Sequence, residues 1–335
     1  MDTNKRFLVV GAGTMGGGHA RLLASGRVPG AELAGVVDLN GALAESVAKA
    51  TASQAFTSLE EAIATVRPDC AYVATPDALH REPVERLAAA GVAILVEKPL
   101  ATTVDDGEAM VAAVKRAGVY AEVNFSNRWN PPFAEGLRAI EAGDLGEVRS
   151  FNVRLNNPIS SPRDRLAWSG GTTPAWFLMS HCLDLAHWFS GKRAVAAYAS
   201  GSKGVLAAQG IDTWDWIHAT VIYENGGDGV FEAAWILPES WPGQIEFNFR
   251  VLGTHGAIDV DTTRQSIAVS SARHHYPPTL NWAQQRFTAF VRAVDGQGRT
   301  RVSFEDGLEV TRILVAIHSS LASGQVERVR GSVPA

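Results

Sequence analysis

Residues 176–188 read WFLMSHCLDLAHW, an apolar and aromatic stretch that contains an imidazole and a carboxylate. At 3.6 residues per turn of an α-helix, Phe177, His181, Asp184 and Trp188 share one face. A histidine near a carboxylate can move a proton at neutral pH, which is general acid–base chemistry. His181 and Asp184 are therefore candidate site residues. The alternative is that this histidine only packs in a core.

A lysine follows a predicted buried strand. VAILVE (92–97) is apolar and ends at Glu97, and Lys98 and Pro99 come next. In an open α/β sheet, ligands bind beyond the carboxyl ends of the strands, so Lys98 stands where a substrate is expected. The alternative is an ordinary surface lysine. Pro99 favours a fixed turn with a cis peptide bond.

GAGTMG places Gly11, Gly13 and Gly16 in G-x-G-x-x-G spacing, after a predicted strand and before a predicted helix. The first glycine permits a tight turn, the second lets a pyrophosphate approach the backbone, and the third lets the helix pack closely. The N-terminus of the helix attracts phosphate. The residues expected to contact a dinucleotide, at this loop and at the ends of neighbouring strands, are Gly11, Gly13, Thr14, Met15, Gly16, Asp38, Thr75, Pro76, His80, Glu97 and Lys98.

Asp38 ends the second predicted strand, 22 residues after Gly16. Its carboxylate is suited to accept hydrogen bonds from the ribose hydroxyls and would repel a 2′-phosphate. Leu39 and Asn40 follow, with no arginine or lysine to receive that phosphate. The sequence therefore favours NAD over NADP.

The first third of the chain alternates strands and helices, which predicts βαβ units around a parallel sheet covered on both faces. The predicted strands are 6–13, 32–38, 69–75, 92–97 and 119–125. The predicted helices are 41–50, 78–90 and 103–117, with another after the glycine loop.

Beyond residue 125 the pattern changes to alternating polar and apolar residues, which is typical of antiparallel strands packed on one face. The predicted strands are 148–157, 194–200, 216–225, 229–237, 245–253 and 256–261, and amphipathic helices are predicted at 279–296 and 305–324. All nine tryptophans lie at or beyond Trp129. We therefore predict two domains, a Rossmann domain over 1–124 and an α+β domain over 125–335.

The composition is that of a soluble globular protein, with 335 residues, 46% hydrophobic and 19% charged. A net charge of −5 without a basic run argues against nucleic acid. No apolar stretch is long enough to cross a bilayer. Cys70 and Cys182 lie in apolar segments, which favours two reduced buried thiols and a cytoplasmic location. No cluster has metal-ligand spacing, so we predict no metal.

In this order and spacing, GAGTMG, ATPDALH (74–80) and EKPLA (97–101) resemble the Gfo/Idh/MocA family of NAD(P)-dependent oxidoreductases. The resemblance continues through VNFSNRWNPPFAEGLRAIEAGDLGEV (123–148) and SHCLDLAHW (180–188), with EDGLEV (305–310) a weaker match. It implies a Rossmann domain followed by a domain with a large, open, mostly antiparallel sheet, one face of which often forms subunit contacts.

The resemblance also implies roles for individual residues. Lys98 matches the family's catalytic lysine, and His181 and Asp184 match the last two positions of its D-x-x-x-H-x-x-D helix. Phe177 stands where the family has the first Asp. Three explanations remain open: Lys98 and His181 carry the acid–base chemistry alone, the substrate presents an apolar face to Phe177, or catalysis is lost.

The expected activity is reversible NAD-dependent oxidation of a secondary hydroxyl on a sugar, sugar acid or polyol, with Lys98 and His181 as the acid–base pair. Aromatic faces pack against the C–H faces of sugars, and arginine or aspartate binds hydroxyl or acid groups. The expected substrate contacts are Lys98, Arg128, Trp168, Trp176, Phe177, His181 and Asp184. The alternatives are an NAD-dependent glycosidase that oxidises its sugar transiently, and a dinucleotide-binding sensor without turnover. An open sheet face predicts a homodimer or homotetramer.

Overall fold

The computed structural model describes residues 4–166, 168–241, 243, 245–261 and 282–331. The chain forms two compact units. One comprises Met1–Trp129 with Asn281–Thr311, and the other comprises Asn130–Leu280 with Arg312–Ala335. Among the described residues, no helix is long and apolar enough to cross a membrane.

The strands are β1 Lys5–Val10, β2 Ala31–Val37, β3 Gln54–Phe56, β4 Cys70–Val73, β5 Ala93–Val96, β6 Ala121–Val123, β7 Val148–Pro158, β8 Ala194–Ser202, β9 Trp216–Tyr223, β10 Asp228–Leu237, β11 Glu246–Gly253, β12 Ala257–Asp261 and β13 Glu327–Arg328. The α-helices are α1 Thr14–Ala24, α2 Gly41–Thr51, α3 Leu59–Val66, α4 Arg81–Ala89, α5 Val104–Ala117, α6 Pro131–Glu141, α7 Ser180–Ser190, α8 Trp282–Val294 and α9 Phe304–Ser323.

The first unit contains a six-stranded parallel sheet in the order β3-β2-β1-β4-β5-β6. Strands β4 and β5 are buried along their whole length, because helices cover both faces of the sheet. The order of the strands reverses between β1 and β4, and this switch point is where ligands bind in such sheets. The predicted strand–helix alternation is confirmed. Strand β3 and helix α3 were not predicted from the sequence; a three-residue edge strand such as β3 carries little periodicity.

The division into units differs from the predicted domains. The boundary near residue 125 falls at Trp129, but 281–311 belongs to the first unit and not to the second. The physical reason lies in α8, whose Phe287 and Phe290 are fully buried. Their rings lie 6.0 and 6.1 Å from the ring of Phe7 on β1. The apolar face of this late helix thus completes the core of the first unit.

The described residues of the second unit form a seven-stranded sheet in the order β12-β11-β7-β10-β9-β8-β13. Its pairs are antiparallel except β10 with β7, which are parallel. Burial alternates along the strands; on β9, Ile217, Ala219 and Val221 are buried and His218 and Ile222 are exposed. One face therefore packs in a core, as the sequence pattern predicted.

Both cysteines are free and buried, as predicted. Burial raises the pKa of the Cys70 thiol to about 12 and raises that of Cys182 above its usual range as well. Neither thiol is therefore a nucleophile near neutral pH.

Candidate active site

The glycine loop between β1 and α1 is tightly packed at Gly11 and Gly16 and approachable at Gly13. Gly11 has φ +95°, and a Cβ there would lie 2.5 Å from the Ala74 carbonyl oxygen. A Cβ on Gly16 would lie 1.8 Å from the Gly11 carbonyl oxygen, so neither glycine can be replaced without moving the backbone. A Cβ on Gly13 would meet no atom of the described residues within 4 Å. The backbone is therefore approachable at Gly13.

Gly13 is also the N-cap of α1, and no side chain caps this helix end. Thr14 and Met15 begin the helix and are exposed. Backbone N–H groups and the positive end of the helix dipole therefore point into open space beside Gly13. This geometry fits a dinucleotide pyrophosphate.

Asp38 lies at the carboxyl end of β2 and holds the same loop. Its Oδ2 accepts the Ala12 N–H at 2.7 Å, and its Oδ1 accepts the Asn40 N–H at 2.8 Å. Each carboxylate oxygen has a second lone pair, so the side chain can still accept ribose hydroxyls. Leu39 beside it is 92% exposed and offers no charge to a 2′-phosphate.

His80 joins the turn after β4 to the turn after β5. It is 1% exposed. Its Nδ1 lies 3.1 Å from the carbonyl oxygens of both Pro99 and Leu100, and its Nε2 lies 3.0 Å from that of Thr75. Both ring nitrogens thus face the backbone, so His80 holds the two turns together. These contacts lend no support to a direct contact with the cofactor.

The turn after β4 also carries Pro76, which is exposed, and Asp77, which is half-buried. Burial raises the pKa of Asp77, and the positive charge of Lys98 opposes that rise. Lys98 therefore lies within electrostatic range of this turn. Both turns stand at the carboxyl edge of the sheet, beside the glycine loop.

Glu97 is buried beneath Lys98 in a polar cluster. Its Oε1 accepts hydrogen bonds from the Tyr72 hydroxyl and, at 2.7 Å, from Asn124 Nδ2. Its Oε2 accepts the Lys98 backbone N–H at 3.1 Å. The Lys98–Pro99 peptide is cis, as predicted. Lys98 itself is half-buried, whereas Glu97 is 6% exposed.

Arg128 was expected to contact substrate, but its visible contacts are structural. It is 2% exposed, and its guanidinium donates to the Arg301 carbonyl oxygen and lies 3.4 Å from Asp306 Oδ2. Arg128 thus ties the segment after β6 to the start of α9. Its guanidinium offers almost no surface to a ligand in this structure.

In the second unit, the helix that carries His181 begins with an irregular turn. Ala175–Met179 is π-helical, and regular α-helix runs from Ser180 to Ser190. Such turns occur often at functional sites. His181, in the first turn of α7, is half-buried, whereas Asp184 is fully buried. In this structure the Asp184 side chain has no exposed surface for a substrate hydroxyl.

Phe177 belongs to an aromatic cluster on the same segment. Its ring lies 5.8 Å from those of Trp168 and Trp235. Trp168 is 46% exposed and Trp235 fully buried, so the cluster runs from the core to the surface. Where the family pattern has a carboxylate, this chain has the middle of an aromatic cluster with edge-on and tilted ring contacts.

Trp176 makes a different contact. It stacks on His318 of α9 with ring centroids 4.7 Å apart. His318 Nδ1 lies 2.7 Å from the Leu314 carbonyl oxygen, and its Nε2 lies 2.8 Å from Thr173 Oγ1. These contacts fix the start of the His181 helix against α9, and they make Trp176 a packing residue on one ring face.

Within the first unit, the structure thus brings the glycine loop, Asp38, the Thr75 turn and the Lys98 turn to one sheet edge. Within the second, it brings Trp168 and Phe177 together on the segment that leads to His181. The sequence had not marked Tyr72, Asn124 or Trp235 as candidates. A tyrosine in an otherwise aliphatic buried strand was the available signal, since a buried phenol needs a hydrogen-bond partner.

Known proteins resemble this chain over most of its length. Residues 5–125 match the model of the GFO/IDH/MocA oxidoreductase family, described as an NAD-binding Rossmann fold. Residues 133–259 match the model of the GFO/IDH/MocA C-terminal domain.

Inositol 2-dehydrogenase of Rhizobium meliloti (strain 1021) is 27% identical over 329 residues, which cover 95% of this chain and 97% of that protein. Myo-inositol dehydrogenase Hyg17 of Streptomyces leeuwenhoekii is 31% identical over 224 residues, 67% of each chain. The crystal structure of scyllo-inositol dehydrogenase from Lactobacillus casei, with NAD(H) and scyllo-inositol bound, has a TM-score of 0.84. It covers 98% of this chain and 99% of that one at 17% identity, and it shows likeness of fold.

Proposed function

The chain belongs to the GFO/IDH/MocA family of NAD-binding oxidoreductases, and from that premise we propose that it oxidises a secondary hydroxyl of a polyol, sugar or sugar acid. The relatives named above act on inositols, which are rings of secondary alcohols. The glycine loop would hold the pyrophosphate, and Asp38 the ribose hydroxyls.

One observation carries the proposal. Lys98 is a half-buried amine at the carboxyl end of β5, and the buried Glu97 carboxylate holds its backbone N–H. The glycine loop follows β1, two strands away in the same sheet, with β4 between them. An amine fixed at this edge is suited to meet a hydroxyl presented to a bound dinucleotide.

Lys98 and His181 divide the proton chemistry in this proposal. Bound NAD supplies the acceptor for the hydride that leaves the carbon. Lys98 hydrogen-bonds the reacting oxygen. His181 takes the proton of the substrate hydroxyl, directly or through water. In the reductive direction the same two groups return the proton to the oxygen. Asp184, three residues after His181 on the same helix, would orient or polarise the imidazole.

Phe177 and Trp168 would form the apolar side of the substrate site. A polyol ring has C–H faces as well as hydroxyls, and an aromatic face packs well against them. The absence of a carboxylate at position 177 leaves Lys98 and His181 as the acid–base pair. Trp176 would contribute to the shape of this site through its stacking on His318.

The experiment is an NADH absorbance assay with NAD and a panel of inositols, aldoses, sugar acids and glycosides. Wild type is compared with Lys98→Ala, His181→Ala and a control variant, Lys115→Ala, whose amine is exposed on α5. Lys98→Ala should lower turnover at least about a hundredfold with NAD affinity nearly unchanged, because the amine acts in the chemical step. Lys115→Ala should match wild type.

Full activity of Lys98→Ala would refute the role given to this residue. If no member of the panel reduces NAD although calorimetry shows tight NAD binding, the alcohol-oxidation proposal fails. Release of an aglycone from the same glycosides would then identify transient oxidation with recycling of the cofactor, and its absence would leave a sensor.

A further inference from the structure

A second polar group lies behind Lys98 that the proposed chemistry does not use. We propose that Tyr72 and Asn124 are positioning residues. They hold the Glu97 carboxylate so that it fixes the turn carrying Lys98, and His19 extends the same chain of hydrogen bonds to the dinucleotide helix α1. This inference rests on the proposed function of Lys98.

The four members come from four separate elements. His19 lies on α1, Tyr72 on β4, Glu97 directly after β5, and Asn124 directly after β6. His19 Nδ1 lies 2.7 Å from the Tyr72 hydroxyl, which donates to Glu97 Oε1. Asn124 Nδ2 donates to the same oxygen at 2.7 Å. This series of hydrogen bonds therefore crosses the sheet beneath the site, from helix α1 to the turn that carries Lys98.

With Glu97 as a carboxylate, the protons in these hydrogen bonds have one arrangement that satisfies every contact. A phenol has one proton, and Tyr72 gives it to Glu97. His19 must then donate from Nδ1 to the phenol oxygen. Asn124 must turn its nitrogen to Glu97, which leaves its buried Oδ1 without a partner among the described residues. The orientation of the amide is thus dictated by the carboxylate.

The charges agree with this arrangement. Tyr72 is fully buried, and burial together with the nearby Glu97 charge raises its pKa well above the usual value, so the phenol keeps its proton. Burial lowers the pKa of His19, and Glu97 opposes that change. A neutral histidine and a protonated tyrosine fit a series of donors that ends at the Glu97 carboxylate.

The consequence falls on Lys98. One oxygen of Glu97 is held by two donors, and the other accepts the Lys98 N–H at 3.1 Å. Removing a donor lets the carboxylate rotate, and the peptide that carries Lys98 loses its fixed partner. Misplacement of a reacting group by about 1 Å can cost on the order of a hundredfold in rate. None of the four side chains needs to touch substrate for this effect.

The first unit offers a matched control. Tyr120 also donates from a phenol to a buried carboxylate, Glu122 Oε1, at 2.7 Å. That carboxylate pairs with Arg286 and accepts the backbone N–H of Arg301, and both of these partners lie outside the Lys98 turn. Tyr72→Phe and Tyr120→Phe therefore remove the same chemical group from two similar contacts. Only the first contact belongs to the proposed positioning chain.

The test uses full-length Tyr72→Phe, Tyr120→Phe, Asn124→Leu and Lys98→Ala, each measured for kcat, KM for NAD and NAD binding by calorimetry. A second measurement needs no turnover: reductive methylation of the NAD-free protein, with the rate at Lys98 followed by peptide mass spectrometry. Tyr72→Phe should lower kcat by about tenfold or more, with KM for NAD within about twofold of wild type. Its Lys98 methylation rate should change by about threefold or more, since the amine is less fixed.

Asn124→Leu should show the same pattern and stands in if Tyr72→Phe does not fold. Tyr120→Phe should leave kcat and the Lys98 methylation rate unchanged. The proposal is overturned if Tyr72→Phe and Asn124→Leu retain the wild-type kcat and methylation rate, or if Tyr120→Phe changes them equally. If Lys98→Ala is fully active, the proposed function fails instead. The methylation rate of Lys98 in Tyr72→Phe then still decides whether the hydrogen bonds through Tyr72 and Glu97 position the turn that carries Lys98.

Discussion

The buried ion pair between α8 and β6 allows a sharp stability prediction. Arg286 is fully buried, and its Nη1 donates to Glu122 Oε2, a carboxylate that is also buried. The guanidinium lies 4.3 Å from the Trp129 ring, and its Nη2 donates to the Val123 carbonyl oxygen at 3.2 Å. Glu122→Gln removes the charge that compensates Arg286 while keeping the size of the side chain.

Removal of one partner from a buried pair costs about 3–5 kcal/mol, because the other charge stays buried and uncompensated. Each kcal/mol lowers the melting temperature of a domain of this size by about 2–4 °C. The melting temperature of the first unit should therefore fall by about 6–20 °C. The control is Glu305→Gln, which breaks the exposed pair with Lys115 and should cost at most about 1 kcal/mol.

Differential scanning calorimetry of wild type, Glu122→Gln, Arg286→Met and the double variant would measure these effects. The double variant should lose less free energy of unfolding than the sum of the single variants, because the two groups interact directly. If Glu122→Gln melts no lower than Glu305→Gln, then this pair does not hold α8 against the first unit, and the argument from burial is wrong.

Three further predictions concern cofactor choice, pH and assembly. Asp38→Ser should raise the Kd for NAD by about tenfold and reduce the ratio of the NADP Kd to the NAD Kd, because the carboxylate that meets the ribose is lost. Calorimetric titration measures both constants, and an unchanged ratio would contradict this prediction. Burial lowers the pKa of His19 and His318, so below about pH 6.5 the unfolded chain takes up protons that the folded chain does not. The free energy of unfolding in urea should therefore fall from pH 7 to pH 5, and His318→Gln should reduce that slope; an equal slope in the variant would refute the assignment. Tyr198 and Val230 are each 45% exposed on one face of the second sheet, so sedimentation should show a homo-oligomer at micromolar protein that Val230→Glu dissociates, and a monomeric wild type would rule out this use of the face.

Local patterns in the sequence determined much of the first unit. Strand and helix periodicities repeat every few residues, and they located β1, β2, β4, β5 and β6 and most of their helices. The spacing of Gly11, Gly13 and Gly16 predicted a glycine loop, and the packing of that loop admits no side chain at Gly11 or Gly16. Pro99 predicted a fixed turn with a cis peptide bond, and the Lys98–Pro99 bond is cis. Each of these properties depends on residues close together in the chain.

The tertiary structure alone decided what those elements pack against. The pattern of α8 indicated an apolar face, but only the fold shows that Phe287 meets Phe7, which is 280 positions earlier in the chain. Likewise, the sequence marked Arg128 and Asp184 as candidate substrate contacts, and only the fold shows that both side chains are buried. The chemical type of an apolar or charged residue indicates which kind of partner it requires. Because that partner comes from a distant segment, the identity of the partner is fixed only when the chain has folded.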